Sequence, residues 1–197
     1  MDVATVLATQ LDAVLVASCV SRLVYDCNRP PSAPGAMPAQ SEIYTVPGNM
    51  NLTAEQKAQR VAAYYDPFRT ALADTIAKID DPVIVTVHSF TPTYHGQPRA
   101  VEIGILHDID TRLADAMMNT ATRHTSLCVE RNAPYGPGDG VTHTLCEHAI
   151  SHGHLNVMLE IRNDLIETTA QQTEIAGMIA GWLTDALGVL GDDGART

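Results

Sequence analysis

The stretch Asp81–Pro92, DPVIVTVHSFTP, decides the fold. Val83 to Val87 is a nearly continuous run of β-branched residues. Such a run reads as a strand buried on both faces of a parallel sheet. It ends abruptly in His88-Ser89-Phe90-Thr91-Pro92. A histidine at the carboxyl end of a central strand sits where open α/β sheets place their ligand crevice. The plainer alternative is a histidine that caps the strand through backbone hydrogen bonds.

Working outward, strands and helices alternate. Residues 2–11 read as the end of a helix. Ala13–Ala17 and Arg22–Asp26 are strand candidates. Cys27 to Thr53 holds prolines 30, 31, 34, 38 and 47, too many for a helix or central strand. A loop this long is usually functional or disordered. Thr53 and Gln56 resemble a capping box opening a helix to about Ile79, with Pro67 kinking or dividing it. After the 83–87 strand comes a polar turn, Thr93–Arg99. Ala100–Leu106 is the next strand. Asp110 caps a helix to about Arg123, Ser126–Val129 is a short strand, and Asn132–Gly140 (NAPYGPGDG) is a loop. Val141–His152 is helical and stopped by Gly153. Leu155–Ile161 is a strand, Thr168–Leu190 a long helix, and 191–197 a polar tail. The order implies one α/β domain over 1–190. Its fold would be three-layer α/β/α around a mixed, mostly parallel central sheet.

Composition narrows the function. The chain has 197 residues, is 45% hydrophobic and carries a formal net charge of −11. That suits one globular core and argues against a nucleic-acid or anionic-membrane surface. No apolar run approaches the roughly 20 residues that cross a bilayer, and no secretory signal is visible. The four cysteines make no CxxC pair. They read as reduced thiols of a cytoplasmic protein.

Polar residues collect at three strand ends. The first group is Arg22, Asp26, Asn28 and Arg29 in SRLVYDCNRPP. Arginine offers a planar fork for a carboxylate, and asparagine adds a directional donor. A surface arginine and an asparagine turn are the plain alternative. The second group is His88-Ser89. The third is MLEIRND, where Glu160 and Arg162 share one face by period-two alternation. A carboxylate in that apolar run is costly unless paired or employed. The alternative for Glu160 is a structural ion pair with Arg162 or Arg29. Together these groups supply what metal-assisted amide hydrolysis needs: a metal ligand, a carboxylate base and an anion clamp.

SRLVYDCNRPP, the HSFTP turn, VEIGILHD, NAPYGPGDGVTHTL with its following HA, and NVMLEIRNDLI together resemble the N-formylglutamate amidohydrolase family, in order, up to about Ile166. That family is similar in fold to zinc-dependent carboxypeptidases and aspartoacylases. The resemblance implies a zinc-exopeptidase-like fold. It also implies hydrolysis of N-formyl-L-glutamate to formate and L-glutamate, as in histidine degradation. It makes His88 a zinc ligand, Glu160 the general base and acid, and Arg22 the oxyanion stabiliser. Asn28 and Arg29 become the carboxylate clamp, with Ser89 and Arg162 as further substrate-binding residues. Zn2+ is the expected cofactor, and a small N-acyl amino acid the expected partner, with neither nucleic acid nor membrane.

One departure stands out. Related enzymes take their other metal ligands from a turn near the N-terminus, and no H-x-x-E pair precedes Arg22. A catalytic zinc takes about three protein ligands. His107-Asp108 would lie at the crevice end if its strand is parallel. His143, His148 and His152 recur at helical spacing, where a solvated helix face is the plainer reading. Tyr135 is either a lid over the substrate or a turn tyrosine. Two alternatives therefore stand: an N-acyl amino acid amidohydrolase of other specificity, or a shortened, non-catalytic relative that binds an acidic metabolite.

Overall fold

A computed structural model describes residues 1–194. In chain order it contains helix α1 (Asp2–Gln10), a small hairpin of β1 (Gln40–Ser41) and β2 (Tyr44–Thr45), and helices α2 (Ala54–Arg60) and α3 (Asp66–Ile76). Strand β3 (Ile84–Phe90), a hairpin of β4 (Thr93–Tyr94) and β5 (Gln97–Pro98), strand β6 (Ile103–Leu106) and helix α4 (Arg112–His124) follow. The chain continues through β7 (Val129–Arg131), α5 (His143–His148), β8 (Asn156–Arg162) and α6 (Thr169–Gly194). Where one domain over 1–190 is expected, the chain forms two compact units. One is Met1–Leu15 with everything from Pro82 onward; the other is Val16–Asp81. Of the expected tail 191–197, helix α6 takes the residues to Gly194. Residues 195–197 lie outside the described residues.

The first unit is built on a mixed four-stranded sheet in the order β3-β8-β6-β7. β3 runs parallel to β8, and β6 parallel to β7, while β6 and β8 are antiparallel. The interior strands are therefore β8, buried from Asn156 to Ile161, and β6, and not the 83–87 run. β3 lies at the edge of this sheet with half-buried middle residues. Pleating sorts the side chains. Val85, Val87, Ile103, Ile105, Val157, Leu159 and Ile161 share one face, packed with Val3 and Leu7 of α1, Leu113 and Met117 of α4, and Ile179 and Trp182 of α6. Apart from the partly buried Val85 and Val87, each of these aliphatic and aromatic side chains contributes about 1.5–3 kcal/mol. Trp182 donates to the Met117 carbonyl at 2.8 Å, so its one polar atom costs nothing inside. Helix α5 contacts β3 and β8 and buries Leu145 outside that cluster, so it covers the opposite face. This is the expected α/β/α layering.

Helix α6 corrects the membrane reading in one respect: Thr169–Gly191 is long and apolar enough to cross a bilayer by length and composition. Its Ile175, Ile179, Trp182, Leu183 and Ala186 instead fill the core. Its start repeats the expected device of α2. Thr168 accepts from the Gln171 amide while Gln171 accepts from the Thr168 amide.

The second unit has a small core of Tyr25, Cys27, Ala36, Met37 and Tyr65. The capping box forms as expected: Thr53 Oγ1 accepts from the Gln56 amide, and Gln56 returns a bond to Thr53. The helix is divided near Pro67, one of the two expected outcomes. A π-helical stretch, Val61–Tyr65, separates α2 from α3, which begins at Asp66 with Pro67 in its first turn, a position that tolerates a missing N–H.

Neither Ala13–Ala17 nor Arg22–Asp26 is a strand. In the second case local bonds win. Ser21 Oγ accepts from the Leu23 amide, and Asp26 Oδ1 accepts from the Asn28 amide. Side chains that bond the nearby backbone turn it away from a ladder.

Candidate active site

The parallel pairing of β3 and β8 puts His88 directly opposite Glu160. The antiparallel pairing of β8 and β6 puts Gly104 opposite Glu160 on its other side. Register partners point to the same face of a sheet. This row therefore faces away from the aliphatic core, toward the layer of α5. Glu160 is only 4% exposed, and His88 is half-buried. A row of imidazole, carboxyl and bare backbone thus interrupts an otherwise apolar sheet.

Gly104 explains how the site is roofed. A Cβ there would collide with the carbonyl oxygen of Ala133. The Asn132–Gly140 loop therefore rests on the sheet beside Glu160, and only glycine permits the approach. Loop position is fixed further by Asn132, whose Oδ1 accepts from the His107 amide at 2.9 Å. Tyr135 in this loop takes a hydrogen bond from Arg99 at 3.0 Å. Sequence reasoning did not single out Gly104 or Arg99. An isolated glycine inside AVEIGIL was the available signal for the first.

Arg162 lies on the same face as Glu160 but has a structural task. It bonds Asp164 through Nε at 2.8 Å and through Nη2 at 3.2 Å. It bonds Glu102 through Nη2 at 3.1 Å. Its Nη1 donates to the Arg99 carbonyl at 3.2 Å and to that of Ala100 at 3.5 Å. Those bonds engage every donor that a guanidinium has, so Arg162 braces the segments it joins. The Asp164 carboxylate beside it holds its pKa above the usual value. Ser89 alternates to the face of Val85 and Val87, away from His88.

His107 does not join His88. It follows β6, which runs antiparallel to β8, so it sits at the opposite end of the sheet. Its Nε2 faces the donor-only Arg131 at 3.2 Å, which leaves the proton on Nδ1, 2.6 Å from the Asp108 carbonyl. His148 is not on a solvated face: it is 7% exposed on α5. His143 pairs with Glu147 at 3.1 Å. His152 falls in a separate 3₁₀ turn, so the i, i+4 spacing of His148 and His152 is not helical.

The remaining predicted residues belong to the second unit. Arg22, with its side chain 63% exposed, reaches Asp26 at 3.2 Å. Asp26 also organises the turn that follows, accepting the Asn28 amide at 3.0 Å through its side chain and the Arg29 amide at 3.0 Å through its carbonyl. The Arg29 side chain packs against Gly35. Behind them Asn49 donates to the carbonyls of Leu23 and Pro38, and Arg60 bonds Asn49 and the Val24 carbonyl. That network fixes the Arg22–Arg29 segment from the inside.

Among the described residues no group of three or more His, Cys, Asp or Glu is placed to hold a metal ion. With about three protein ligands needed, the described residues do not fit a catalytic zinc.

A family model described as N-formylglutamate amidohydrolase matches residues 1–167. A crystal structure of a gene product from Agrobacterium tumefaciens is 52% identical, with a TM-score of 0.93, over 96% of this chain and 76% of that one. The crystal structure of N-formylglutamate amidohydrolase from Ralstonia eutropha is 18% identical, with a TM-score of 0.54, over 83% of this chain and 74% of that one; the second likeness is one of fold. A comparison with curated proteins gave no match.

Proposed function

This chain belongs to the N-formylglutamate amidohydrolase family, and from that premise we propose that it hydrolyses N-formyl-L-glutamate to formate and L-glutamate. The observation that carries the proposal is the buried Glu160 in register with His88 on one sheet face. A carboxyl group in an apolar sheet is costly unless paired or employed, and the register with His88 supports its employment.

Glu160 takes a proton from the attacking water and returns it to the leaving amide nitrogen. Arg22 stabilises negative charge on the formyl oxygen as it develops. Asn28 and Arg29 hold a substrate carboxylate, the arginine through paired N–H bonds. The roofing loop limits water around Glu160. Zinc, with His88 as one ligand, is carried by the resemblance alone, and no step is assigned to it, because the described residues do not complete its ligand set. The four free thiols support a reducing compartment such as the cytoplasm.

The test is formate release from N-formyl-L-glutamate by the purified chain, with and without added zinc. Release that is lost in Glu160→Gln supports the reaction. Release of another acid from a different N-acyl amino acid, with none from N-formyl-L-glutamate, moves the proposal to that acyl group. Absence of any turnover, with an acidic ligand still bound, replaces catalysis by binding.

A further inference from the structure

We propose that Arg99 is the specificity-determining residue that receives the side-chain carboxylate of an acidic N-acyl amino acid. The inference rests on the hydrolase reading above and extends it to substrate choice.

Arg99 is held by rings and not by acids. Its guanidinium carbon lies 4.5 Å from the Tyr94 ring centre, 4.9 Å from that of Tyr135 and 5.5 Å from that of Phe90. Nη2 donates to the Tyr135 hydroxyl at 3.0 Å, and Nη1 reaches the Thr91 carbonyl at 3.4 Å. Among the described residues nothing accepts from Nε, and no carboxylate pairs with this cation. Acidic side chains outnumber basic ones by 23 to 12, so the missing acid is not for want of partners. Three aromatic faces fix the plane of the fork while leaving its charge unanswered. That is a prepared site for a carboxylate.

Its place fits the second carboxylate of the substrate. Phe90, beneath the guanidinium, is two residues beyond His88 on the same sheet face. One pleat repeat spans about 7 Å. The Arg99 carbonyl is bonded by Arg162, which stands two residues beyond Glu160. Tyr135 belongs to the loop that rests on Gly104, the register partner of Glu160. The cation is therefore anchored one step outward from the reacting row. A glutamyl substrate carries a side-chain carboxylate besides its α-carboxylate, and Arg99 lies in the same unit as Glu160 to receive it.

The experiment compares kcat/KM on N-formyl-L-glutamate and N-formyl-L-glutamine for the wild type, Arg99→Gln and Arg99→Lys. Calorimetric titration with glutarate reads the same recognition without turnover. Arg99→Gln is expected to lose about 10- to 100-fold on the glutamate substrate, the range for a charged hydrogen bond, with the glutamine substrate little changed. Its glutarate affinity should fall in step. Arg99→Lys, which keeps the charge but not the fork, should lie between, and it carries the test if Arg99→Gln does not fold. Equal loss on both substrates would make Arg99 a brace for the Tyr135 loop and overturn the assignment, as would unchanged glutarate binding. If the wild type hydrolyses neither substrate, the hydrolase reading fails. Glutarate binding that depends on Arg99 would then still support its role as an anion site.

Discussion

His88 and Glu160 stand side by side across the parallel pairing of β3 and β8, on the sheet face turned away from the aliphatic core. Two side chains in register on neighbouring strands cannot drift apart without breaking the ladder. The sheet thus sets their separation before any substrate arrives. If Glu160 moves the proton, Glu160→Gln removes the function and keeps the shape. Turnover should fall by about three orders of magnitude, within the range for general acid–base groups. The melting temperature should change little. Kinetics and thermal melts on one preparation check both halves, and retained turnover excludes the role.

Gly104 gives a test of the roof. Adding a single methyl group in Gly104→Ala drives it into the Ala133 carbonyl. Backbone cannot step aside as a side chain does, so overpacking costs about 1–3 kcal/mol. The roofing loop should lift. Protease cleavage within 132–140 is expected to accelerate, and KM to rise. A variant as stable and protected as wild type would show that the loop has another support.

Arg162 ties three segments together: Arg99–Ala100, Glu102 and Asp164. Arg162→Met strands the Glu102 and Asp164 carboxylates. The network is partly buried, so the loss falls between surface and buried pairs, at about 2 kcal/mol. For a chain of this size that lowers the melting temperature by about 4–8 °C. Arg162→Lys should recover only part of it, because a lysine cannot serve acids and carbonyls in one plane. Differential scanning calorimetry on the three proteins decides the point.

Much of this arrangement was legible in the sequence, for reasons that differ by residue. Period-two alternation around Glu160 and the strand before His88 placed both in a sheet, and the Thr53–Gln56 spacing gave its helix start. Strand direction was not legible. Nothing in AVEIGIL says that β6 runs against β8, and that single fact sends His107 to the opposite end from His88. Nor did the Arg22–Asp26 run reveal its turns, since LVY looks like a strand until Ser21 and Asp26 bond the backbone beside them. The ring cage of Arg99 draws on Phe90, Tyr94 and the distant Tyr135. Only folding brings the last of these near.

Asp110 links stability to acid. Its oxygens accept from Arg112 Nε at 2.9 Å and Nη2 at 2.7 Å. These bonds hold its carboxyl below the usual range. A depressed folded pKa stabilises the fold above the unfolded value, about 4. The contribution is lost as pH falls through the folded value. Asp110→Asn should therefore be less stable than wild type at pH 7, and the gap should narrow steadily below about pH 4. Urea midpoints measured from pH 7 to pH 3 test this. A gap that widens toward acid would reverse the sign and exclude the linkage.

Tyr25 makes the complementary case at the alkaline end. It is 1% exposed and packs on Tyr65 with ring centres 5.7 Å apart. Among the described residues its hydroxyl has no hydrogen-bond partner. Burial, followed by the nearby Cys27, Asp66 and Asp26, pushes its pKa up to about 12. An unfolded tyrosine ionises near 10, so the raised folded value leaves stability intact below about pH 10 and removes it as pH climbs through 12. Tyr25→Phe deletes both the stranded hydroxyl and the titration. The variant should equal or exceed wild-type stability at neutral pH, since a buried hydroxyl without a partner is a cost. Above about pH 10 its advantage should grow. Ultraviolet titration of phenolate, run alongside urea melts, checks the two claims separately. If Tyr25→Phe is clearly less stable at pH 7, the hydroxyl has a bonding role and the buried-cost argument fails.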